Sequence, residues 1–390
     1  MDTLLLTVSA VVALALLFDF SNGFHDAANS IATVVATRAM SVRLAVWFSA
    51  LCNFAAYFIV GTAVADTVAK TVKPSAESVA VVFAALVAAV VWNYVTWFVG
   101  MPSSSSHAII GGLVGAGIAA GGFAAISWAS VQKVLYAIVL SPAVAFAVAI
   151  GGAGLVALLQ RVTKWHDNAK PFKALQLVSA AAVSFGHGAN DAQKTMGVIA
   201  ALLSGAGYVT AKAGAKDIPV PEWVALSAYA AIALGTVWGG WRIIQTMGLR
   251  LTSLSARAAV AANIGATTAI FGATALGAPI STTHAAASSV VGAGVASRKG
   301  ANWKVVGQMV LAWVFTIPST AMLAFGLEHL TQLPQPFAGI TVGVVVVVVG
   351  TAIGWAMMHS IGAQDVEAEV TTTADHPGVA PTLAEGVTAA

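Results

Sequence analysis

The 390-residue sequence has few charged residues and a single cysteine. Asp, Glu, Lys and Arg make up 8% of the chain, whereas soluble proteins contain about 25%. This deficit excludes an ordinary soluble domain. The 18 basic residues are scattered between apolar runs, which excludes a basic surface for nucleic acid. Because Cys52 is alone, a disulfide framework and a cysteine metal site are excluded as well.

Apolar runs fill most of the sequence, with 58% hydrophobic residues and a mean hydropathy of +0.87. A membrane-spanning helix needs about 20 apolar residues, and runs of that order recur. The run over residues 258–297 is longer, but Gly277, Pro279 and the polar residues that follow divide it in two. The charge-free single runs are Leu44–Ala65, Val79–Gly100, His107–Gln132, Val134–Gln160, Trp223–Trp241, Val305–Leu327 and Phe337–Met358.

Two further apolar segments, Thr3–Thr37 and Ala174–Leu203, contain polar residues in their middle. Together these segments predict an all-α polytopic membrane protein with eleven spans, or twelve if re-entrant or broken helices are present. With the N-terminus outside, twelve of the 18 basic residues fall in cytoplasmic loops and five fall outside. Cytoplasmic loops collect Lys and Arg, so the predicted orientation in the cytoplasmic (inner) membrane is N-terminus out and C-terminus in.

An internal duplication organises the chain. Pro102–Ala119 aligns without gaps with Pro279–Ala296, and nine of 18 positions are identical. Phe20–Asn29 aligns likewise with Phe185–Lys194. Five spans per copy invert the second copy relative to the first, which predicts two inverted-topology repeats that give alternating access to a site between them. The predicted parts are a first repeat (1–160), a cytoplasmic linker (161–173), a second repeat (174–329), an extra helix (330–358) and a disordered acidic cytoplasmic tail (359–390).

Charged side chains are rare within the predicted spans. Each costs about 2.5 to 3.5 kcal/mol at the membrane centre, so each needs a reason. Two duplicated helix faces share the spacing i, i+4, i+7: Asn22, Asp26 and Asn29 in the first copy, and His187, Asp191 and Lys194 in the second. A single polar residue in a span is explained by a structural hydrogen bond between helices, whereas an Asp-centred face that occurs twice favours a functional site. Gly23 and Gly188 beside these faces permit either close helix packing or an unwound turn.

Hydroxyl-rich helix starts form a second duplicated feature. Pro102 and Pro279 each precede a helix start, where unpaired N–H groups and the positive dipole end bind oxyanions. The hydroxyl donors there are Ser103, Ser104, Ser105, Ser106, Ser281, Thr282 and Thr283. Simple N-capping is the alternative, and the duplication favours an anion site.

The roles of three further polar residues in the predicted spans are left open. His107 and His284 are equally suited to carry protons or to cap the helix starts. Asp19 has Ser184 as its repeat mate, so a cation-binding role and a structural hydrogen bond are equally open.

Carboxylates beside an anion site discriminate between substrates. Phosphate keeps protons that Asp26 or Asp191 can accept, whereas sulfate has none, so inorganic phosphate is favoured. Import of a divalent anion against 100 mV costs about 4.6 kcal/mol, so cations must accompany it or a metal–phosphate complex must form.

Two other functions fit the sequence less well than transport of an anion. A channel or cation/proton antiporter would not need the hydroxyl-rich starts. An intramembrane hydrolase would need one Ser-His site, and the nucleophile-elbow pattern is absent; the protein is expected not to be an enzyme.

The segments FDFSNGFHDAANSIAT and SFGHGANDAQKTMG, with PSSSSH and PISTTH, closely resemble the inorganic phosphate transporter (PiT) family from Asp19 to about Ala296. The resemblance implies a low-affinity secondary transporter with two inverted repeats that is commonly a homodimer. Sodium-driven relatives have Asn where this chain has Lys194, and the Gln193-Lys194 form resembles bacterial proton-coupled members that move neutral metal–phosphate complexes. The family also includes sulfate permeases.

The sequence therefore predicts a phosphate importer in the lipid bilayer that works by proton symport and has no resident cofactor. Sodium coupling, a sulfate or other oxyanion substrate, and a divalent metal that accompanies phosphate are open alternatives. The phosphate-binding candidates are the seven hydroxyl residues with Asn22 and Asn190. The candidates for cation or proton coupling are Asp26, Asn29, Asp191, Lys194, Asp19, His107, His284 and His187. The identity of any metal ligands is left open.

Overall fold

The computed structural model describes residues 3–209 and 218–375, and within these ranges the chain is built from helices without a β-strand. The helices are α1 (Thr3–Ala36), α2 (Val42–Ala55), α3 (Ala63–Ala69), α4 (Val79–Phe98), α5 (Ser105–Gly121), α6 (Trp128–Thr163), α7 (Lys170–Gly205), α8 (Glu222–Trp238), α9 (Trp241–Gln245), α10 (Ala256–Ala275), α11 (Thr282–Ala296), α12 (Trp303–Thr331), α13 (Phe337–Met358) and α14 (Ala363–Asp375). A π-helical turn, Thr246–Arg250, continues α9. The predicted all-α class is confirmed.

Among the described residues, six helices are long and apolar enough to cross a membrane: α1, α4, α6, α10, α12 and α13. Two bent pairs raise the number to eight if each pair is one span. The segment with α2 and α3 bends by 87°, and the segment with α8 and α9 bends by 68°. The prediction of eleven also counts α7, whose middle is polar, and α5 and α11, which have 17 and 15 residues; it stays a prediction.

Two predicted helix boundaries were wrong. Residues 107–132 do not form one helix, because α5 ends at Gly121 and Gly122 takes a φ of +69°, a conformation that favours glycine. Residues 44–65 are broken between α2 and α3. The division of residues 258–297 at Gly277 and Pro279 is confirmed by the gap between α10 and α11.

The polar middle of α1 and of α7 does not interrupt either helix, and these helices run for 34 and 36 residues. Gly23 and Gly188 serve close packing rather than an unwound turn. A Cβ on Gly23 would lie 2.2 Å from the carbonyl oxygen of Ile232, and one on Gly188 would lie 2.4 Å from that of Asn53. The backbones of α8 and α2 therefore approach the polar stretches of α1 and α7 directly.

The order of helices repeats up to α12. A long polar-centred helix, a bent pair, a 20-residue helix, a short helix and a long helix with an internal proline occur twice. The prolines are Pro142 in α6 and Pro318 in α12. Ser78 and Ser255 cap the 20-residue helices α4 and α10 in the same way, through backbone N–H groups three residues later. The duplication thus extends to the local signals that start and bend the helices.

The two copies pack into each other. Helix α6 of the first copy packs against α10 and α11, and α12 of the second copy packs against α4 and α5. Helices α1 and α7 contact each other, and each also contacts the bent pair of the other copy. This exchange places the polar stretches of α1 and α7 at the boundary between copies, next to the starts of α5 and α11.

The chain after α12 differs from the repeats. Helix α13 buries only Ala338 and Ala356, so most of its apolar surface is left for lipid or another subunit. The tail was predicted to be disordered from residue 359, but residues 363–375 form α14. The reason is an apolar i, i+4 pair: Val366 and Val370 are buried, and Arg38 Nη2 donates to the carbonyl of Val370 at 2.5 Å. Residues 376–390 lie outside the described residues.

Candidate substrate site

The predicted site residues are all buried, and most of them lie close together between the two copies. All seventeen are at most 4% exposed, so the structure shows this region closed to solvent. Helices α1 and α7 supply the charged side chains, and the starts of α5 and α11 supply hydroxyl groups.

Asp26 lies between the two hydroxyl-rich starts. Its carboxylate accepts hydrogen bonds from Ser105 Oγ of α5 at 3.4 Å and from Thr282 Oγ1 of α11 at 3.3 Å. The Nδ1 atom of His25 lies 2.6 Å from Asp26 Oδ1. The carboxylate therefore has a donor from each copy and an imidazole as a nitrogen partner.

Asp191, the repeat mate of Asp26, is held by a different nitrogen. Lys194 Nζ lies 2.6 Å from Asp191 Oδ1, and Asn22 Nδ2 donates to Oδ2 at 3.3 Å. Thr282 Oγ1 is also 3.3 Å from Asp191 Oδ2, the same distance as from Asp26. The Thr282 hydroxyl thus lies between the two carboxylates, at the point where α11 begins.

Lys194 and its repeat mate Asn29 make equivalent contacts across the boundary. Besides Asp191, Lys194 donates to Ser106 Oγ and, at 2.8 Å, to the carbonyl of Ile280. Asn29 Nδ2 lies 3.2 Å and 3.1 Å from the hydroxyls of Thr282 and Thr283. Each polar helix therefore binds the hydroxyl-rich start of the other copy, once through an ammonium and once through an amide.

Part of the hydroxyl set serves as N-caps. Ser104 and Ser281 accept from the backbone N–H groups of His107 and His284 at 3.2 Å and 3.1 Å. Ser103 lies 2.8 Å from Thr96 Oγ1. The remaining four hydroxyls, on Ser105, Ser106, Thr282 and Thr283, contact charged or amide side chains of α1 and α7.

Three predicted residues lie apart from the paired carboxylates. His107 and His284 contact each other edge to face at 4.5 Å, and His284 stacks on Trp313. Their rings do not cap the helices, because their own backbone N–H groups are the ones capped. Asn190 supports the turn before α11, where it donates to the carbonyl of Ala278 and accepts from the N–H of Ile280.

His187 completes a group that could hold a metal ion. Its Nδ1 is 3.3 Å from Asn53 Oδ1, and its Nε2 lies 3.6 Å from Asp191 Oδ2 and 4.0 Å from Asp26 Oδ2. The three ligand atoms lie within 4.8 Å of one another. One imidazole with two carboxylates suits a borderline divalent ion, and a protonated His187 would satisfy the same two carboxylates.

Sequence reasoning missed His25 and Thr96. His25 Nε2 is 3.1 Å from Thr96 Oγ1 while its other nitrogen faces Asp26. His25 is one residue off the i, i+4, i+7 face, and its repeat mate is Asn190, so neither periodicity nor duplication selects it. The available signal is its position immediately before the intramembrane Asp26.

Comparisons with known proteins agree with this arrangement. A profile of the "Phosphate transporter family" matches residues 22–324. A "Probable low-affinity inorganic phosphate transporter" of Rhizobium meliloti (strain 1021) is 46% identical over 317 residues, which cover 80% of this chain and 93% of that protein. The protein of the same name from Bacillus subtilis (strain 168) is 42% identical over 327 residues, covering 83% of this chain and 96% of its own.

The fold also matches a solved structure. "The sodium-dependent phosphate transporter" superposes with a TM-score of 0.74 and covers 84% of this chain and 99% of its own, at 23% sequence identity. That likeness concerns the fold, whereas the profile and the bacterial relatives concern ancestry. On these grounds, the chain is a multi-pass membrane protein that belongs to the phosphate transporter family.

Proposed function

We propose that this protein imports inorganic phosphate by proton symport, through a site between its two repeats. The observation that carries the proposal is the meeting of two helix N-termini with two carboxylates at the Thr282 hydroxyl. Helix N-termini and hydroxyls bind an oxyanion, and carboxylates are compatible with that anion only if it brings protons or cations. The names of the bacterial relatives support phosphate as the substrate.

Phosphate is proposed to bind between the starts of α5 and α11. The hydroxyl groups that face this space are those of Ser105, Ser106, Thr282 and Thr283. Ser103, Ser104, Ser281 and Asn190 would shape the helix starts, and Asn22 would orient Asp191. Asp26 and Asp191 would accept hydrogen bonds from the protonated oxygens of phosphate.

Lys194 supports proton rather than sodium coupling. Its fixed ammonium occupies the carboxylate of Asp191, where a coupling cation would otherwise bind. The side chain then replaces one transported cation. Protons, or the metal ion of a neutral metal–phosphate complex, supply the remaining positive charge. The Asp26, His187 and Asp191 group is the candidate for such a metal. The name of the structurally similar sodium-dependent transporter favours the alternative of sodium coupling.

Alternating access would follow from the duplicated helix order. In this proposal residues 1–160 and 174–329 are inverted repeats joined by the cytoplasmic linker 161–173, with the N-terminus outside and the C-terminus inside the cytoplasmic membrane. Helix α13, with its largely unburied apolar surface, is available for lipid or for a second subunit in a homodimer.

The direct test is uptake of radiolabelled phosphate into proteoliposomes in the presence of excess unlabelled sulfate or phosphate. The expected result is uptake that unlabelled phosphate suppresses and sulfate leaves unchanged. Replacing all four facing hydroxyls (Ser105→Ala, Ser106→Ala, Thr282→Val, Thr283→Val) should abolish it. Equal suppression by sulfate would contradict the choice of phosphate, and retained uptake in the fourfold variant would contradict the proposed binding site.

A further inference from the structure

Asp19 lies beside the proposed phosphate site in a pocket of its own. It is fully buried on α1, one turn before Asn22. Thr195 of α7 and Asn22 are its close polar neighbours, and it interacts electrostatically with Tyr229 of α8. The charged groups that face it are Asp191 and Lys194, both from α7.

Five oxygen atoms of this pocket have no hydrogen-bond partner among the described residues. They are Asp19 Oδ1 and Oδ2, Asn22 Oδ1, Thr195 Oγ1 and Tyr229 OH. A buried polar group without a partner is costly, and a buried ionised carboxylate without a partner is the costliest case. The group that completes this pocket must therefore satisfy several oxygens at once.

The neighbouring cation cannot do this. An ammonium has three N–H donors, and Lys194 directs all three elsewhere, to Asp191, Ser106 and the carbonyl of Ile280. The amide group of Asn22 has two N–H donors, one of which donates to Asp191. Its amide oxygen, which can only accept, has no partner among the described residues.

A single proton on Asp19 gives both the carboxyl and Asn22 Oδ1 a partner. A protonated carboxyl donates through its O–H and still accepts at its other oxygen. Asp19 can then donate to Asn22 Oδ1, one turn away on the same helix, while its neighbour Thr195 donates to the other oxygen of Asp19. An ionised Asp19 can accept from Thr195 and from the second N–H of Asn22, but it leaves Asn22 Oδ1 without a donor and the buried charge without a counter-ion, because Lys194 is engaged elsewhere.

We propose that Asp19 carries the transported proton and that Asn22 connects it to Asp191. On the side of the membrane from which phosphate enters, a hydrated proton of the solvent binds an oxygen of Asp19; on the other side the O–H bond breaks and water takes the proton. Once Asp19 is ionised, it attracts the N–H donors of Asn22, and the hydrogen bond from Asn22 to Asp191 weakens. The loss of the proton is thereby felt at the phosphate site. The link to phosphate rests on the proposed function, whereas the protonation of Asp19 does not.

The protonation is tested without transport by infrared difference spectroscopy of the purified protein in H2O and D2O at neutral pH. A protonated carboxyl gives a C=O stretching band that shifts on deuteration. The expected result is a smaller band in Asp19→Asn than in wild type, because the component from Asp19 is lost. The matched control is Asp365→Asn, the same change at an exposed residue whose side chain accepts from the N–H of Gly362; it should retain the full band. Identical bands in wild type and Asp19→Asn would overturn the assignment.

The role in coupling is tested in proteoliposomes with an acid-outside pH gradient. Asp19→Asn should lower gradient-driven phosphate accumulation about tenfold or more, a loss on the scale of ordinary site-to-site coupling. Exchange of labelled for unlabelled phosphate, which needs no net proton movement, should persist, and Asp19→Glu should restore the gradient response. A gradient response in Asp19→Asn equal to that of wild type would overturn the proposal, as would loss of exchange in a variant that elutes as folded protein.

The two arms separate the possible failures. Wild-type protein that carries no phosphate but shows the Asp19 band would contradict the proposed function and leave the proton site standing. Wild-type protein that carries phosphate with a pH gradient, but lacks the band and keeps the response in Asp19→Asn, would contradict the proton site alone.

Discussion

The two polar faces are duplicates in spacing and differ in charge. The face on α1 has Asn29 where the face on α7 has Lys194, and both reach the hydroxyl-rich start of the opposite copy. Asp26 is paired with the imidazole of His25, whereas Asp191 is paired with the amino group of Lys194. Symmetry in the backbone therefore coexists with asymmetry in charge, and we propose that this asymmetry selects the cation that travels with phosphate.

Removing the two carboxylates separately should give the largest difference between the copies. Both Asp26→Asn and Asp191→Asn should abolish phosphate uptake. Asp191→Asn should also destabilise the protein by about 3 to 5 kcal/mol, because it leaves the buried ammonium of Lys194 without its partner. Thermal unfolding in detergent measures the second effect.

The double variant Asp191→Asn/Lys194→Asn is the control for that prediction. It removes both charges of the pair and should recover most of the stability without recovering uptake. Equal melting temperatures for Asp26→Asn and Asp191→Asn would show that the Lys194 pair is not the distinguishing feature of the second copy.

Making the second face resemble the first should change the coupling ion. Lys194→Asn frees Asp191 to bind a cation and gives both faces an amide at the last position. We expect pH-driven uptake to fall about tenfold, within the usual range of coupling between sites, and sodium to stimulate the uptake that is left. Uptake with imposed pH or sodium gradients measures both. Asn29→Gln is the control, because it changes the repeat mate of Lys194 without changing the charge. It should not create a sodium response.

The hydroxyl mates Ser105 and Thr282 should differ in their contribution to phosphate affinity. Thr282 contacts both carboxylates, whereas Ser105 contacts one, at 3.4 Å. Hydrogen bonds to charged groups contribute about 1.5 to 3 kcal/mol each. A hydroxyl donates to one acceptor at a time, so each substitution removes one such bond and should raise the KM for phosphate by about ten- to hundredfold, at 1.4 kcal/mol per factor of ten. The effect of Thr282→Val should be the larger, because the Thr282 hydroxyl lies between both carboxylates. Concentration-dependent uptake measures KM, and an effect of Ser105→Ala as large as that of Thr282→Val would contradict the bridging role.

The smallest predicted difference between the copies concerns the pH dependence of stability, and it arises in the loops that precede α4 and α10, outside the spans. Glu77 precedes α4, and its repeat position holds Leu254. Burial raises the pKa of the Glu77 carboxyl to about 7. A raised acid pKa stabilises the fold at low pH, and this stability is lost as pH rises from the unfolded pKa towards 7. Glu77→Gln should remove that pH dependence and raise the melting temperature above pH 7 by a few degrees at most. An unchanged pH profile of thermal unfolding would contradict it.

Much of the site was predictable because duplication marks it twice. The Asp-centred faces and the hydroxyl-rich starts repeat at fixed offsets, and the structure brings Asp26, Asp191, Ser105 and Thr282 together. The boundary of α10 and α11 was also predictable, since Gly277 and Pro279 interrupt an apolar run.

What could not be predicted depends on contacts between distant segments. Nothing in the sequence shows that Lys194 donates to Ser106 of the other copy, or that Asn190 supports a turn instead of facing the carboxylates. The bend between α2 and α3 occurs within an apolar run that hydropathy presents as continuous. Helix α14 depends on Arg38, more than 300 residues earlier in the chain, so its composition alone favoured disorder.

We propose that phosphate crosses the membrane between the two copies together with protons. Phosphate accumulation in proteoliposomes in sodium-free buffer, with an acid-outside pH gradient, measures this coupling in wild type and Asp26→Asn. Wild type should accumulate phosphate above the external concentration; this accumulation should collapse when the gradient is removed and be absent in Asp26→Asn. Accumulation that requires sodium and ignores the pH gradient, or that persists in Asp26→Asn, would contradict this proposal.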